Sequence, residues 1–372
     1  MKIAVITDMA RFQNSMSFDM LKSGMERLGF TMDLLFVENP ASIFSQKIPL
    51  IRFCEASSLL TRLSRYDLLH VHLTFPLGFF YAFFKAVHGK PVLVHTHGYD
   101  VFSVPSVGYG LTRNKIGKSL ARYTWTNASH VIVTCRKAKE NLVRAGVSSE
   151  RTTVVYNGVD VDFFKKRKVE DETLVKIRKN CNLVFLNVAG LTPVKNHEDL
   201  LVAFSYFVRR HKEGRGSKLV ICGDGPLKGR LLQLTHKLRI TENVVFLGQQ
   251  PHSKMPEIYS IADVFVLPSL SEAHPWSLLE AMSCELPSIA SAVGGIPETI
   301  QDDNLILKPP QAEACYSSRL FEKMVFLAHD EKRRSEIGAR NREIVVKGFR
   351  MEHHIRKLNA LYTQLLFGNG TD

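Results

Sequence analysis

The chain has 372 residues, room for about two domains, and its 45% hydrophobic and 23% charged composition is that of an ordinary globular protein. Apolar residues spread along its whole length exclude global disorder, and the lack of a glycine period or a long heptad run excludes a collagen-like or coiled-coil rod. The formal net charge is +13, of which +9 falls within residues 1–151; such a surface suits nucleic acid, anionic lipid or phosphorylated ligands, and the lack of any helix-turn-helix, zinc-finger or RNP pattern argues against nucleic acid.

From the N-terminus, residues 2–7 (KIAVIT) read as a buried strand, because the apolar run ends at Asp8 and is too short for a secretory leader. A helix over 17–28 ends at Gly29, and 32–37 is the next strand. Strands over 67–72 (DLLHVH) and 91–96 (PVLVHT) flank a Phe-rich helix, 75–84. That helix stops at Lys85, far short of the roughly 20 residues of a membrane span, and its Phe79, Phe80, Phe83 and Phe84 read first as a core-facing stripe. A strand at 130–134, a helix at 137–145 and a strand at 152–156 complete the first run. The segment 165–172 (KKRKVEDE) reads as a solvated connector.

The pattern then restarts. Strands at 183–188, 217–222, 244–247, 264–267 and 288–290 alternate with helices at 198–210, 227–238, 255–261 and 278–283. An amphipathic helix over 351–367 closes the chain. Alternating strands and helices mean parallel sheets covered on both faces. The expected class is therefore α/β, with two doubly wound, Rossmann-like domains at residues 1–160 and 161–352. Helix 353–372 is expected to pack back on the first. Ligands of such sheets bind beyond the carboxyl ends of the strands, so a cleft between the domains is the expected site. Cys54, Cys135, Cys181, Cys222, Cys284 and Cys315 form no CxxC pair and no zinc pattern, and read as buried, reduced thiols of a cytoplasmic protein.

Three stretches of the second half suit phosphate groups. GDGP (223–226) turns sharply out of a strand into a helix, so Gly223, Asp224 and Gly225 could present backbone amides to an anion, and a plain turn explains the motif equally well. Lys195, between a strand and a helix, can meet a diphosphate as a point charge, although a lone exposed lysine is usually just surface. In AVGGIPE (292–298), Gly294 and Gly295 allow close backbone approach, while Pro297 and Glu298 suit a first helical turn.

The most telling feature is the pair Glu272 and Glu280. Two carboxylates flanking a strand-to-helix loop can each accept the hydroxyls of a ribose or hexose, although either alone could be a surface acid. In the first half, His70, His72, His95 and His97 stand at the ends of two strands, where imidazoles can bridge phosphates or move protons. A zinc site is the rival reading, since alternate strand residues face one way, but no acidic or Cys partner is evident. Asp8 is the other polar candidate on that face.

Together these stretches resemble family 4 of the retaining glycosyltransferases, which have the GT-B fold. The resemblance rests on DLLHVH, HTHGYD, YNGVDVDFF (156–164), CGDGP, the E-x7-E pair in LPSLSEAHPWSLLEAM, and GGIPE, in that order along nearly the whole chain. It implies an enzyme that moves a hexose-type sugar from a UDP- or GDP-sugar to a hydroxyl acceptor, with no cofactor and no obligatory metal. It implies catalytic roles for Glu272, His97 and Lys195, with Glu272 on the donor sugar, Lys195 on the diphosphate and His97 near the transferred sugar. Glu280 would take the ribose, and Gly223, Asp224, Gly225, Gly294, Gly295 and Asn157 would complete the donor side. Asp8, His72, His97 and Asp100 would lie on the acceptor side, and Asp160 would shape the hinge region. A lipid-linked saccharide or glycan precursor is the expected acceptor. The basic first half, with apolar residues in 43–63 and 75–86, points to an anionic membrane surface, hence to a cytoplasmic protein peripheral on the inner face.

The chain departs from the family pattern in four places. The loop after the first strand reads MARFQNSMS, with no Gly between 8 and 23, where Gly-Gly is usual. Gly190 stands five residues before Lys195, where Arg or Asn is usual. Ala273-His274-Pro275 replaces Gly-Phe-Gly, and Pro275 lacks a backbone N–H. Glu285 replaces the Gly after AMSC. Lys195, Glu272 and Glu280 all remain. These departures keep two alternatives open: another GT-B nucleotide-sugar enzyme, such as an epimerase or phosphorylase, and a non-catalytic sugar-nucleotide-binding partner subunit.

Overall fold

The structure, a computed structural model, describes residues 1–7, 16–36, 63–83, 85–179, 181–312 and 315–368. Asp8, Cys54, Phe84, the MARFQNS part of the first loop and most of the apolar segment 43–63 lie outside the described residues. The chain forms two compact units, Met1–Asn157 with Met351–Asp372, and Gly158–Arg350.

The first unit is built on a six-stranded sheet of β1 (Lys2–Thr7), β2 (Thr31–Phe36), β3 (Leu68–His72), β4 (Val92–His95), β5 (His130–Val133) and β6 (Thr152–Val154). Its order is β2-β1-β3-β4-β5-β6, all parallel. Ile3, Ala4, Val5 and Ile6 are all fully buried, as the continuous apolar run of a strand covered on both faces requires. Helix α1 (Met16–Glu26) follows β1. The Phe-rich stretch is helical with a break near its start. A π-type turn over Thr74–Gly78, broken at Phe75 by extended backbone angles, leads into α2 (Phe79–Phe83). Phe80 and Tyr81 face the core, whereas Phe83 is 55% exposed and stacks on Phe79. The basic stretch after residue 113 is helix α3 (Lys115–Asn127), started by the Asn114 side chain, which accepts from Gly117 N at 2.8 Å. Helix α4 (Arg136–Arg144) links β5 to β6.

The second unit opens with α5 (Glu172–Lys179). The end of the charged connector is thus a helix start: Asp171 Oδ1 accepts from Thr173 N and Leu174 N. Then come β7 (Val184–Val188), α6 (His197–Arg210), β8 (Lys218–Cys222), α7 (Lys228–Lys237), β9 (Val244–Gly248), α8 (Met255–Ser260), β10 (Val264–Leu267), α9 (Trp276–Ser283), β11 (Ser288–Ser291) and β12 (Ile306–Leu307). The parallel sheet runs β12-β11-β10-β7-β8-β9. Helices α10 (Tyr316–Ala328) and α11 (Glu331–Gly348) follow, and neither is among the elements expected from the sequence. Arg342 of α11 ties this unit together, donating to the carbonyls of Phe164, Ser283 and Val161.

The last helix, α12 (Met351–Phe367), packs on α1 within the first unit. Ile355 sits over Gly24, where a Cβ would lie 2.7 Å from its Cδ1. Among the described residues, no helix is long and apolar enough to cross a membrane. Cys135, Cys222 and Cys284 are buried, Cys181 is half-buried and Cys315 is exposed.

Candidate active site

In the second unit β10 lies beside β7, so the loops leaving their carboxyl ends run side by side. The loop after β7 ends in the turn Pro193–Lys195, and the loop after β10 carries Ser269 and Glu272. A backbone bond from Leu270 N to Val194 O, 2.8 Å, straps them together. Lys195 Nζ then reaches Glu272 Oε1 at 2.6 Å, and Ser269 Oγ donates to the same oxygen at 2.7 Å. Glu272 is almost buried, with 9% of its side chain exposed against 25% for Lys195. The sequence places these residues apart, and the fold makes them one charge-assisted cluster.

Glu280 stands half-buried on α9. The hydroxyl of the fully buried Tyr259, on α8, donates to its Oε2 at 2.7 Å. Burial pushes the Glu280 carboxyl up to about 7, against the Tyr259 hydrogen bond, which favours the ionised form.

The glycines of both motifs lie close against neighbouring backbone. Gly223 N donates to Gly248 O at 2.9 Å, and Gly225 N to its neighbour's Asp224 Oδ1 at 2.7 Å. Gly223 N is thus paired with a backbone carbonyl, and Gly225 N with a carboxylate of the same turn. A Cβ on Gly223, whose φ is +142°, would lie 2.0 Å from Ala189 O, so the GDGP turn is glycine-rich because it presses on the backbone that leaves β7. Asp224 is exposed and pairs with Lys228 at 3.3 Å. Gly294 packs the same way: with φ +54°, a Cβ there would fall 1.7 Å from Glu272 O. Gly295 N donates to Ala273 O at 2.7 Å. The GGIPE loop therefore braces the Glu272 backbone. Pro275 is the residue before the first turn of α9, and His274 is buried with Nε2 3.1 Å from Thr299 Oγ1. Asp160 closes a turn by accepting from Asp162 N and Phe163 N.

In the first unit, strand alternation puts His70 and His72 on one face, and the register pairs His72 with His95. The rings of His70, His72, His95 and His97 form a stack, with successive centroids 4.5 to 5.3 Å apart. His72 Nδ1 lies 2.7 Å from His97 Nε2. His70, His72 and His95 are buried, and burial holds all three imidazoles well below their usual range, His70 at about 3, so they are neutral at physiological pH. Helix α12 lays His354 and Tyr362 on the stack. Asp100 is buried: its Oδ2 accepts from Thr74 N and Oγ1, and its Oδ1 from His97 N. It anchors the His97 loop. Asn157, the last residue of the first unit's main segment, is also buried.

Among the described residues, His70, His72 and His95 are grouped closely enough for their ring nitrogens to lie within 4.8 Å of one another. Tetrahedral zinc would need those nitrogens about 3.4 Å apart and converging. Near-parallel rings aim their lone pairs side by side, and both nitrogens of His70 already have partners. The group fits a hydrogen-bonded stack better than a metal centre. Sequence reasoning missed Tyr259, His354 and Tyr362, because each meets its partner across the fold, and Ser269, which meets Glu272 within one loop but belongs to no motif.

Residues 170–344 match the family described as Glycosyl transferases group 1, and residues 31–163 match Glycosyltransferase Family 4. The chain is 27% identical over 314 residues to N-acetyl-alpha-D-glucosaminyl L-malate synthase of Bacillus anthracis, covering 81% of this chain and 75% of that protein. It is 28% identical over 239 residues to a phosphatidylinositol N-acetylglucosaminyltransferase component of Arabidopsis thaliana, covering 62% of this chain but only half of that protein's length. Its fold resembles that of Anabaena HepE, solved in complex with UDP-glucose, with a TM-score of 0.78 at 18% identity over 98% of this chain and all of that one. The two family matches, covering most of the chain between them, and the two parallel six-stranded sheets lead to one conclusion: the chain belongs to the family 4 glycosyltransferases and has the GT-B fold.

Proposed function

We propose that the chain transfers a hexose-type sugar, with N-acetylglucosamine the first candidate, from a nucleoside diphosphate sugar to a hydroxyl acceptor, with retention at the anomeric carbon. The observation that carries this reading is the cluster of Lys195, Glu272 and Ser269 at the carboxyl edge of one sheet, with Glu280 on the next helix. Glu280 accepts ribose hydroxyls, and Glu272, oriented by Lys195 and Ser269, accepts hydroxyls of the donor sugar. The bond from the anomeric carbon to the diphosphate breaks, and the acceptor oxygen bonds from the same face. The acceptor proton passes to the departing phosphate oxygen. Lys195 shifts from Glu272 toward the negative charge that builds on the diphosphate, which stabilises the transition state. With that cation in place no metal is required, and EDTA leaves turnover unchanged. The relatives named for N-acetylglucosaminyl transfer and the UDP-glucose complex of a fold neighbour support the donor class.

The first unit is assigned the acceptor, with His72 and His97 as its polar groups. A lipid-borne acceptor is favoured by the face of α3, where Ile116, 75% exposed, and Tyr123 stand among Lys115, Lys118 and Arg122. Vesicles containing an anionic lipid should sediment the protein, and neutral vesicles should not; equal absence from both pellets counts against a membrane-borne acceptor.

The test of the main reading is incubation with UDP-N-acetylglucosamine and either L-malate or phosphatidylinositol, with the product followed by NMR. An α-linked glycoside is expected. A β-linkage overturns retention. An epimerised sugar nucleotide, or a free sugar phosphate, assigns the protein to a different nucleotide-sugar chemistry.

A further inference from the structure

The imidazole stack contains a directional hydrogen-bond chain that ends on the last helix. Tyr362 Oη lies 2.6 Å from His70 Nδ1, and His70 Nε2 lies 3.2 Å from His95 Nδ1. All three side chains are buried. His95 Nε2 is buried and has no hydrogen-bond partner among the described residues. The His95 ring stacks on His97 at 4.5 Å, and the His354 ring lies 6.3 Å from it. His354 points its own Nδ1 at Tyr156 O, 2.8 Å away.

A neutral imidazole has one donor and one acceptor, so the chain has two possible directions. If Tyr362 donates, His70 passes its Nε2–H to His95 Nδ1, and one group is left over, the Nε2–H of His95. If His95 donates from Nδ1, His70 donates to Tyr362. Two groups are then left over, the tyrosine O–H and the His95 Nε2 lone pair. Each buried unsatisfied group is costly, so the first direction is preferred.

We propose that Tyr362 is a positioning residue: its hydroxyl sets the direction of the chain through His70, so that His95, whose ring stacks on His97, carries its proton on Nε2. The C-terminal helix thereby fixes the tautomers of the layer on which His97 rests. The consequence for catalysis rests on the proposed role of His97; the tautomers themselves do not.

The test uses the full chain with 15N-labelled histidine and long-range proton–nitrogen correlation, which reports the protonated nitrogen of each ring. The wild type should show Nε2–H forms at both His70 and His95. Tyr362→Phe keeps the ring that meets Phe30 at 5.9 Å but removes the donor. It should turn both histidines into mixtures of the two tautomers. An Nδ1–H form of His70 in the wild type, or unchanged tautomers in the variant, overturns the proposal, and the wild-type spectrum decides alone if the variant does not fold. In transfer from UDP-N-acetylglucosamine, Tyr362→Phe should lower kcat about fivefold with donor KM unchanged. An unchanged kcat, or a loss confined to KM, overturns the positioning role. Absence of wild-type turnover would count against the proposed donor and leave the spectra as the deciding result.

Discussion

Lys195 and Glu272 are 77 residues apart in sequence, yet their charged atoms meet at 2.6 Å, with Ser269 donating to the same carboxylate oxygen. Two neighbouring strands bring them together, and the strap from Leu270 to Val194 fixes their spacing. Glu272 thus holds the Lys195 cation at the carboxyl edge of the sheet.

Removing that cation should separate two effects. Lys195→Met leaves an almost buried carboxylate with only Ser269 in the cluster and should cost roughly 1–3 kcal/mol of stability. Transfer should fall by about 100-fold or more, the scale of losing a preorganised charge stabiliser. Adding Glu272→Gln should restore most of the stability and none of the transfer. Thermal melts and turnover of both variants check this; recovery of transfer in the double variant would contradict the assigned roles.

Glu280 gives a pH dependence with a definite sign. Its carboxyl titrates at about 7 in the folded chain, against an ordinary 4.5. The proposed ribose contact uses the ionised carboxylate, so on that proposal nucleotide affinity should fall by about tenfold per pH unit below that midpoint. Tyr259→Phe removes a donor to the ionised form and should move the midpoint upward, while Glu280→Gln should abolish this step. Stability follows the opposite course: the contribution of this group is fully present below pH 4.5 and is lost as pH rises through about 7. Calorimetric titrations of nucleotide at several pH values, beside melts at the same pH, distinguish the two trends.

Two alanine substitutions should behave oppositely. Gly294→Ala puts a Cβ 1.7 Å from Glu272 O at a positive φ, which forces the two loops apart. A melting point lowered by several degrees and a steep loss of transfer are expected. Gly229→Ala, on α7 with nothing within 4 Å of the added Cβ, should gain about 0.5–1 kcal/mol with transfer unaltered. A destabilised Gly229→Ala, or a silent Gly294→Ala, would contradict the packing described.

Gly190 is a departure from the family pattern that the structure can accommodate in reverse. The nearest atom to a Cβ there is Asp224 O, at 3.8 Å, so a side chain fits. Gly190→Arg should tighten binding of a nucleoside diphosphate by about three- to tenfold at low salt, less at high salt, with no change in melting point. Weaker binding would show that this position faces something other than the diphosphate.

The strands and most of the helices were legible because their signals are local. The apolar run Ile3–Ile6 of β1 and the whole of β10 are continuous, and the alternation of HVH with HTH marks a sheet face. Helix α11 escapes a sequence reading because charged residues dominate it, whereas α10 carries a legible stripe of Tyr316, Leu320, Met324 and Leu327. The Phe-rich stretch is helical where its composition suggests, but the break at Phe75 is not legible, because aromatic composition says nothing of where a chain turns. At the site, motif order located Lys195, Glu272 and Glu280, but not the Ser269, Tyr259 and Tyr362 hydroxyls. The last two meet residues 21 and 292 positions away. Glu285 is instructive: its φ of +62° shows why a glycine is usual there, a backbone requirement that the side chain conceals.

The most direct test is calorimetric titration of the full chain with UDP, GDP and ADP, beside Glu280→Ala. One nucleotide should bind the wild type in the micromolar to low millimolar range, and the variant should bind it at least tenfold more weakly, about 1.4 kcal/mol. Failure of the wild type to bind any of the three, or equal binding by Glu280→Ala, would contradict the account.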